Sequence, residues 1–140
     1  MKKLTPLLTV DAIEPVLPFW TDGLGLEVTV RVPHPPEDPS GPLGFVILAR
    51  DTVELMLQRR ESVEADLGAA APGHPELAAR MADALPTLFL EVEALAPYLD
   101  RLEGVEVVVP RRQTFYGMDE IFVLAPGGVL LGLAAPMSER

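Results

Sequence analysis

Hydrophobic and polar positions alternate with period two over several short stretches of the chain, the mark of strands with one buried face. "GFVILARDTVELMLQ" (Gly44 to Gln58) and "EIFVLAPGGVLLGLA" (Glu120 to Ala134) each carry two such runs around a turn. The turns fall at Arg50-Asp51 and at Pro126-Gly127-Gly128, so each segment predicts a β-hairpin. One further strand precedes each hairpin, "LEVTVRV" in one case and "VEVVVP" in the other. Upstream lie "TPLLTVDAIEPVLPFW" (Thr5 to Trp20) and "TLFLEVEALAPYLDRL" (Thr87 to Leu102). Set 82 residues apart, they agree at Thr5, Leu8, Val10, Ala12, Pro15 and Leu17. Each begins as a strand and meets an acid, Asp11 or Glu93, where a helix is expected to start, with a proline four residues on. The helices are expected to run to about Asp22 and Glu103, ahead of Gly23 and Gly104. Pro18 inside the first pattern predicts a bend or an early end.

The order strand, helix, three strands therefore occurs twice, which points to a duplication. The expected organisation is one domain over residues 1–140, with modules at about 1–60 and 86–140 and a helical linker at about 61–85. The linker, "RRESVEADLGAAAPGHPELAARMADALP", predicts two short amphipathic helices broken at Ala71-Pro72-Gly73. Leu77, Met81, Ala84 and Leu85 recur at helical spacing and are expected to pack onto a core or a partner subunit. "PHPPEDPSGPLG", rich in proline, predicts a stiff extended loop between two strands of the first module.

Composition narrows the chemistry. A chain of 140 residues with 49% hydrophobic content is long enough to bury roughly 70% of its unfolded surface. It has no cysteine, which removes disulfides, thiolate metal sites and cysteine nucleophiles. The net charge of −10 repels a phosphate backbone and favours a cationic ligand, so nucleic acid is not an expected partner. "MKKLTPLLTV" has no apolar run of signal-peptide length, and no stretch reaches a membrane span; a cytoplasmic protein without a membrane partner is expected.

"FWTDGLGLEV" (Phe19 to Val28), "LMLQRRES" (Leu55 to Ser62) and "FYGMDEIFVLAPGGVLLGLA" (Phe115 to Ala134) set the duplicated unit in a known context. The chain resembles the vicinal oxygen chelate superfamily, which holds glyoxalase I, extradiol dioxygenases, fosfomycin-modifying enzymes and bleomycin-binding resistance proteins. It is nearest the bleomycin-resistance-like subgroup. The resemblance implies an α+β fold in which two tandem βαβββ modules form a cupped mixed sheet, usually completed as a homodimer. Metal-using members hold their ligands at places that fall here on Thr5, Glu54, Thr87 and Gly132. Of these only Glu54 is a strong donor, whereas a catalytic divalent site takes about three protein ligands. His34 and His74 lie in proline-bound loops away from those places. No metal or other cofactor is therefore expected. Ser40, Ser62 and Ser138 lack a nucleophile elbow, "APGGV" is a turn rather than a phosphate loop, and Asp119-Glu120 point to opposite faces of one strand.

What remains is a pocket. Alternation turns Leu7, Thr9, Phe45, Ile47, Glu54, Met56, Phe89, Glu91, Glu120, Phe122 and Leu130 inward, with Trp20, Phe115 and Tyr116 at the rim. The expected ligand-binding candidates are Glu54, Met56, Phe45, Phe89, Glu91, Phe115, Tyr116, Glu120, Phe122 and Trp20, with no catalytic residue assigned. Gly132 either relieves crowding at a strand bend or leaves room for a ligand. The expectation is a metal-independent small-molecule-binding protein that sequesters an amphipathic or cationic compound as a homodimer. The alternatives are a metal-dependent lyase, dioxygenase or transferase of the same superfamily, and a metal-free enzyme with Glu54 or Glu120 as its base.

Overall fold

The computed structural model describes residues 2–137. The chain divides into two compact units, Met1–Ala84 and Leu85–Arg140. In the first, β1 (Leu7–Val10), β2 (Glu27–Pro33), β3 (Leu43–Arg50) and β4 (Val53–Arg59) form a sheet ordered β1-β4-β3-β2. β1 runs parallel to β4, and the other pairs are antiparallel. The second unit repeats this with β5 (Thr87–Glu91), β6 (Glu106–Gln113), β7 (Met118–Ala125) and β8 (Val129–Pro136), ordered β5-β8-β7-β6. Again only the first-to-last pair, β5 with β8, is parallel. The duplicated strand order expected from the repeat is present, and with it the α+β class.

Both hairpins turn where the sequence places them. Asp51 takes a φ of 53°, and Gly127 and Gly128 take 90° and 87°, the left-handed backbone that a tight hairpin turn requires. Alternation then sorts the faces. Leu8, Val10, Val46, Leu48, Leu55 and Leu57 are buried on one side of the first sheet, and Val123, Val129, Leu131 and Leu133 on one side of the second. Each such side chain contributes ~1.5–3 kcal/mol on full burial. A register slip of one residue would expose the whole set, so the facing is strongly fixed.

Neither expected helix forms over its full length, although the first is helical from residue 17 and ends at Gly23, as its glycine stop predicts. In the first unit the Val16 and Leu17 amides both donate to the Ile13 carbonyl, at 3.1 and 3.0 Å. A single wide turn of π type follows over Phe19–Gly23, where the Leu24 amide donates to the Phe19 carbonyl at 3.1 Å. Pro15 and Pro18 lack the N–H groups that an α-helical ladder would need here. In the second unit α3 spans only Ala96–Leu99, far short of Glu103, with Pro97 in its first turn. Nor do the two acids act as caps. α3 has no side-chain cap bond, and Asp11 accepts a hydrogen bond from Arg60 instead.

α1 (Arg60–Ala70) and α2 (Leu77–Asp83) fill the expected linker and belong to the first unit. Gln58, buried at the end of β4, holds α1: its amide donates to Ser62 Oγ at 2.9 Å and Asp66 Oδ2 at 2.7 Å. Val63 is the residue that α1 buries. α2 buries none; Leu77 and Met81 are half-buried, while Ala84 and Leu85 are exposed. The apolar stripe expected to meet a core or a partner subunit is therefore only partly covered within the described residues.

Candidate functional site

The period that buries one face of each sheet leaves its other face partly open: on the first sheet Gln58 is buried there beneath α1, and on the second Glu120 is buried. On the first sheet, Leu7, Met56 and Ile47 form one row across β1, β4 and β3, and Thr9, Gln58 and Phe45 form the next. Glu54 stands one row toward the hairpin, opposite Ala49. Its carboxylate receives the Lys3 ammonium at 2.8 Å and the Thr5 hydroxyl at 2.9 Å. These two hydrogen bonds, Lys3 first, outweigh partial desolvation and hold Glu54 below the usual carboxylate pKa.

The second open face is ruled in the same way. Thr87, Leu130 and Leu124 make one row; Phe89, Gly132 and Phe122 the next; Glu91, Ala134 and Glu120 a third, which Arg112 extends on β6. The vacancy at Gly132 is filled from the side. A Cβ placed there would lie 2.6 Å from Cε2 and 2.7 Å from Cζ of Phe122, so the glycine admits the Phe122 ring. That ring meets Phe89 with centroids 6.3 Å apart and planes tilted by 48°. Phe89 itself remains 55% exposed. Beside this aromatic row stands Glu91, exposed on the same face.

Glu120 is fully buried. The Arg112 guanidinium donates to its Oε1 at 2.8 Å through Nε, with Nη2 at 2.7 Å, and the Tyr116 hydroxyl lies 2.8 Å from both carboxylate oxygens. Burial pushes the Glu120 pKa up, but Tyr116 and Arg112 more than offset this and leave it below the ordinary value. An acid so fully engaged, and so readily ionised, is a poor proton-transfer base. Glu54 is in the same position.

The pocket candidates separate by unit. Phe45, Glu54 and Met56 share the first open face; Phe89, Glu91, Glu120 and Phe122 share the second, with Phe115 and Tyr116 on the turn between β6 and β7. Trp20 belongs to neither. It is 1% exposed and packs edge-on against Phe19 at 5.0 Å, so it is a core residue and not a rim. The ligand positions also need correction. Thr5 bonds Glu54, while Thr87 pairs with Leu130; Leu130, and not Gly132, stands in the second unit where Glu54 stands in the first. Thr5 with Glu54 and Thr87 with Leu130 offer one carboxylate between two hydroxyls and an alkyl chain, and Lys3 already holds that carboxylate. No group of three or more His, Cys, Asp or Glu suited to a metal occurs among the described residues. This donor set does not fit a catalytic divalent metal. Sequence reasoning missed Lys3 and Arg112, the partners that neutralise the two inward acids.

Comparison with known proteins places the fold. The family model of the Glyoxalase/Bleomycin resistance protein/Dioxygenase superfamily matches residues 4–133. The chain belongs to that superfamily. Among solved structures, TioX from Micromonospora sp. ML1 aligns over 96% of this chain and 99% of its own, with a TM-score of 0.70 and 13% identity. A glyoxalase/bleomycin resistance protein/dioxygenase from Nocardioides covers all of this chain with 87% of its own, at TM-score 0.65 and 20% identity. A bleomycin-binding protein in complex with bleomycin covers 99% of this chain with all of its own, at TM-score 0.58 and 17% identity. No curated protein matches the chain in sequence at a significant level.

Proposed function

We propose that the protein is a metal-independent binder of a small amphipathic cation, held on the open face of the second sheet. One observation carries this. Phe89 is largely exposed beside Phe122, and the exposed carboxylate of Glu91 lies in the next row of the same face. An aromatic surface ending in a carboxylate suits stacking of a planar group and pairing of a positive one. The engaged state of Glu54 and Glu120 supports binding over proton transfer, and the bleomycin-bound relative gives a precedent for a ligand in this fold. A homodimer in the cytoplasm completes the proposal.

The test is thermal stabilisation of the full chain by a panel of aromatic cations that includes metal-free bleomycin. At least one is expected to raise Tm in a concentration-dependent way, with the rise lost in Phe89→Ala and reduced in Glu91→Gln. A panel without any stabilising compound, or near-stoichiometric uptake of zinc, nickel or manganese after dialysis, would overturn the proposal.

A further inference from the structure

The buried side of the second sheet has an opening of its own. At the ends of β6, β7 and β8 lies a cavity of about 520 Å3, within the range of small-molecule sites, lined among others by Glu93, Leu95, Ala96, Arg111, Asp119 and Pro136. Asp119 precedes Glu120 on β7 and points to the opposite face, so this cavity is separate from the Phe89–Glu91 surface.

The internal repeat explains why it is there. Thr9 pairs with Gln58 as Glu91 pairs with Ala134, so Asp11 corresponds to Glu93, Glu14 to Ala96 and Arg60 to Pro136. In the first unit the corresponding side chains are charged and engaged with one another or with the backbone. Arg60 Nε donates to Asp11 Oδ1 at 2.9 Å, and Glu14 Oε2 accepts the Leu43 amide at 2.8 Å. In the second unit an alanine and a proline have replaced the glutamate and the arginine, while the acid that would meet the arginine is kept. Asp119 is closed by Arg111, with contacts of 3.0 and 2.8 Å, whereas Glu93 has no basic partner among the described residues. The lining therefore carries one net negative charge from Glu93, Asp119 and Arg111. Leu95 is buried at its base, and Pro136 and Met137 add apolar wall.

We propose that this cavity binds a small guanidinium or alkylammonium cation, which takes in the second unit the place that the Arg60 side chain takes in the first. The charged head meets Glu93, and a short alkyl stem lies along Leu95 and Pro136. The site is distinct from the one proposed above and stands whether or not that one binds.

The experiment is an NMR titration of the full chain, following the Ala94, Ala96 and Ala135 amides, with butylguanidinium chloride as probe and butanol as uncharged control. Butylguanidinium is expected to shift these amides saturably and butanol to leave them unmoved. Glu93→Gln weakens binding about tenfold, the size of one charge-assisted hydrogen bond. Pro136→Arg, which restores the first unit's arrangement, removes it. Both variants are checked by Tm for retained folding. Equal binding by wild type and Glu93→Gln overturns the proposal, as does equal binding of butanol.

Discussion

Gly132 serves its neighbour. The ring of Phe122 occupies the space that any side chain at Gly132 would need, and it does so at the far end of a half-exposed side chain. Gly132→Ala must therefore swing the ring aside, at a cost of about 1 kcal/mol, the low end for overpacking because Phe122 has solvent to move toward. With the ring removed by Phe122→Ala, the same substitution should cost almost nothing. Urea denaturation of the four proteins in this cycle isolates the coupling between the two positions. A Gly132→Ala penalty that is unchanged without the ring would place its cause in the backbone instead. The glycine's φ lies outside the left-handed range, so geometry favours the ring.

At the scale of elements, the β6–β7 hairpin is fastened from both sides. Arg111 binds Asp119 on one face and Arg112 binds Glu120 on the other, while Tyr116 reaches back from the turn. Both acids are held below their ordinary pKa: hydrogen bonding by Arg111 dominates for Asp119, and burial opposed by Tyr116 and Arg112 sets the balance for Glu120. A depressed folded pKa means stability that is present above the unfolded value of about 4 and lost as pH falls through the folded value. Calorimetry should find Tm level from neutral pH toward 5, then falling more steeply in wild type than in Glu120→Gln. At pH 7, Arg112→Met should lower Tm more than Arg111→Met, because it strands a fully buried carboxylate, whereas Asp119 keeps 20% of its side chain in water. The hairpins, their turns and the facing of each strand were legible in the sequence, since a period of two is visible along one strand. The Arg112–Glu120 pair was not. It depends on register across two strands, and the β6–β7 register shifts between Val107 and Val109 and again between Val109 and Arg112. The helices were misread in extent for a local reason: acids and glycines marked their ends, but Pro15, Pro18 and Pro97 denied them a ladder. Trp20 and the Glu93 cavity show the same limit, because each depends on what packs against it and not on where it stands in the chain.

At the scale of the molecule, two four-stranded sheets each bury one face and leave the other partly apolar. Leu7 and Val30 in the first unit and Phe89 in the second are exposed to between 37% and 55%. Scattered apolar residues are ordinary on a surface, but Leu7 and Val30 share the row through Met56 and Ile47, and Phe89 continues the row of Phe122. Such rows favour association, and closed twofold pairing is its commonest form. Charge opposes it, since each chain carries −10 and two chains repel. The balance gives the proposed dimer a distinctive response to salt. Raising ionic strength from about 0.01 to 0.15 M shortens the screening length from about 30 to 8 Å. Repulsion between the copies should fade while apolar burial is kept, so the dimer should tighten. Sedimentation equilibrium at micromolar concentration is expected to give twice the chain mass at the higher salt and a mixture at the lower. A monomer under both conditions would mean that the open faces meet water or ligand alone. Weaker association at higher salt would mean that the copies are joined by ion pairs instead of by these apolar rows.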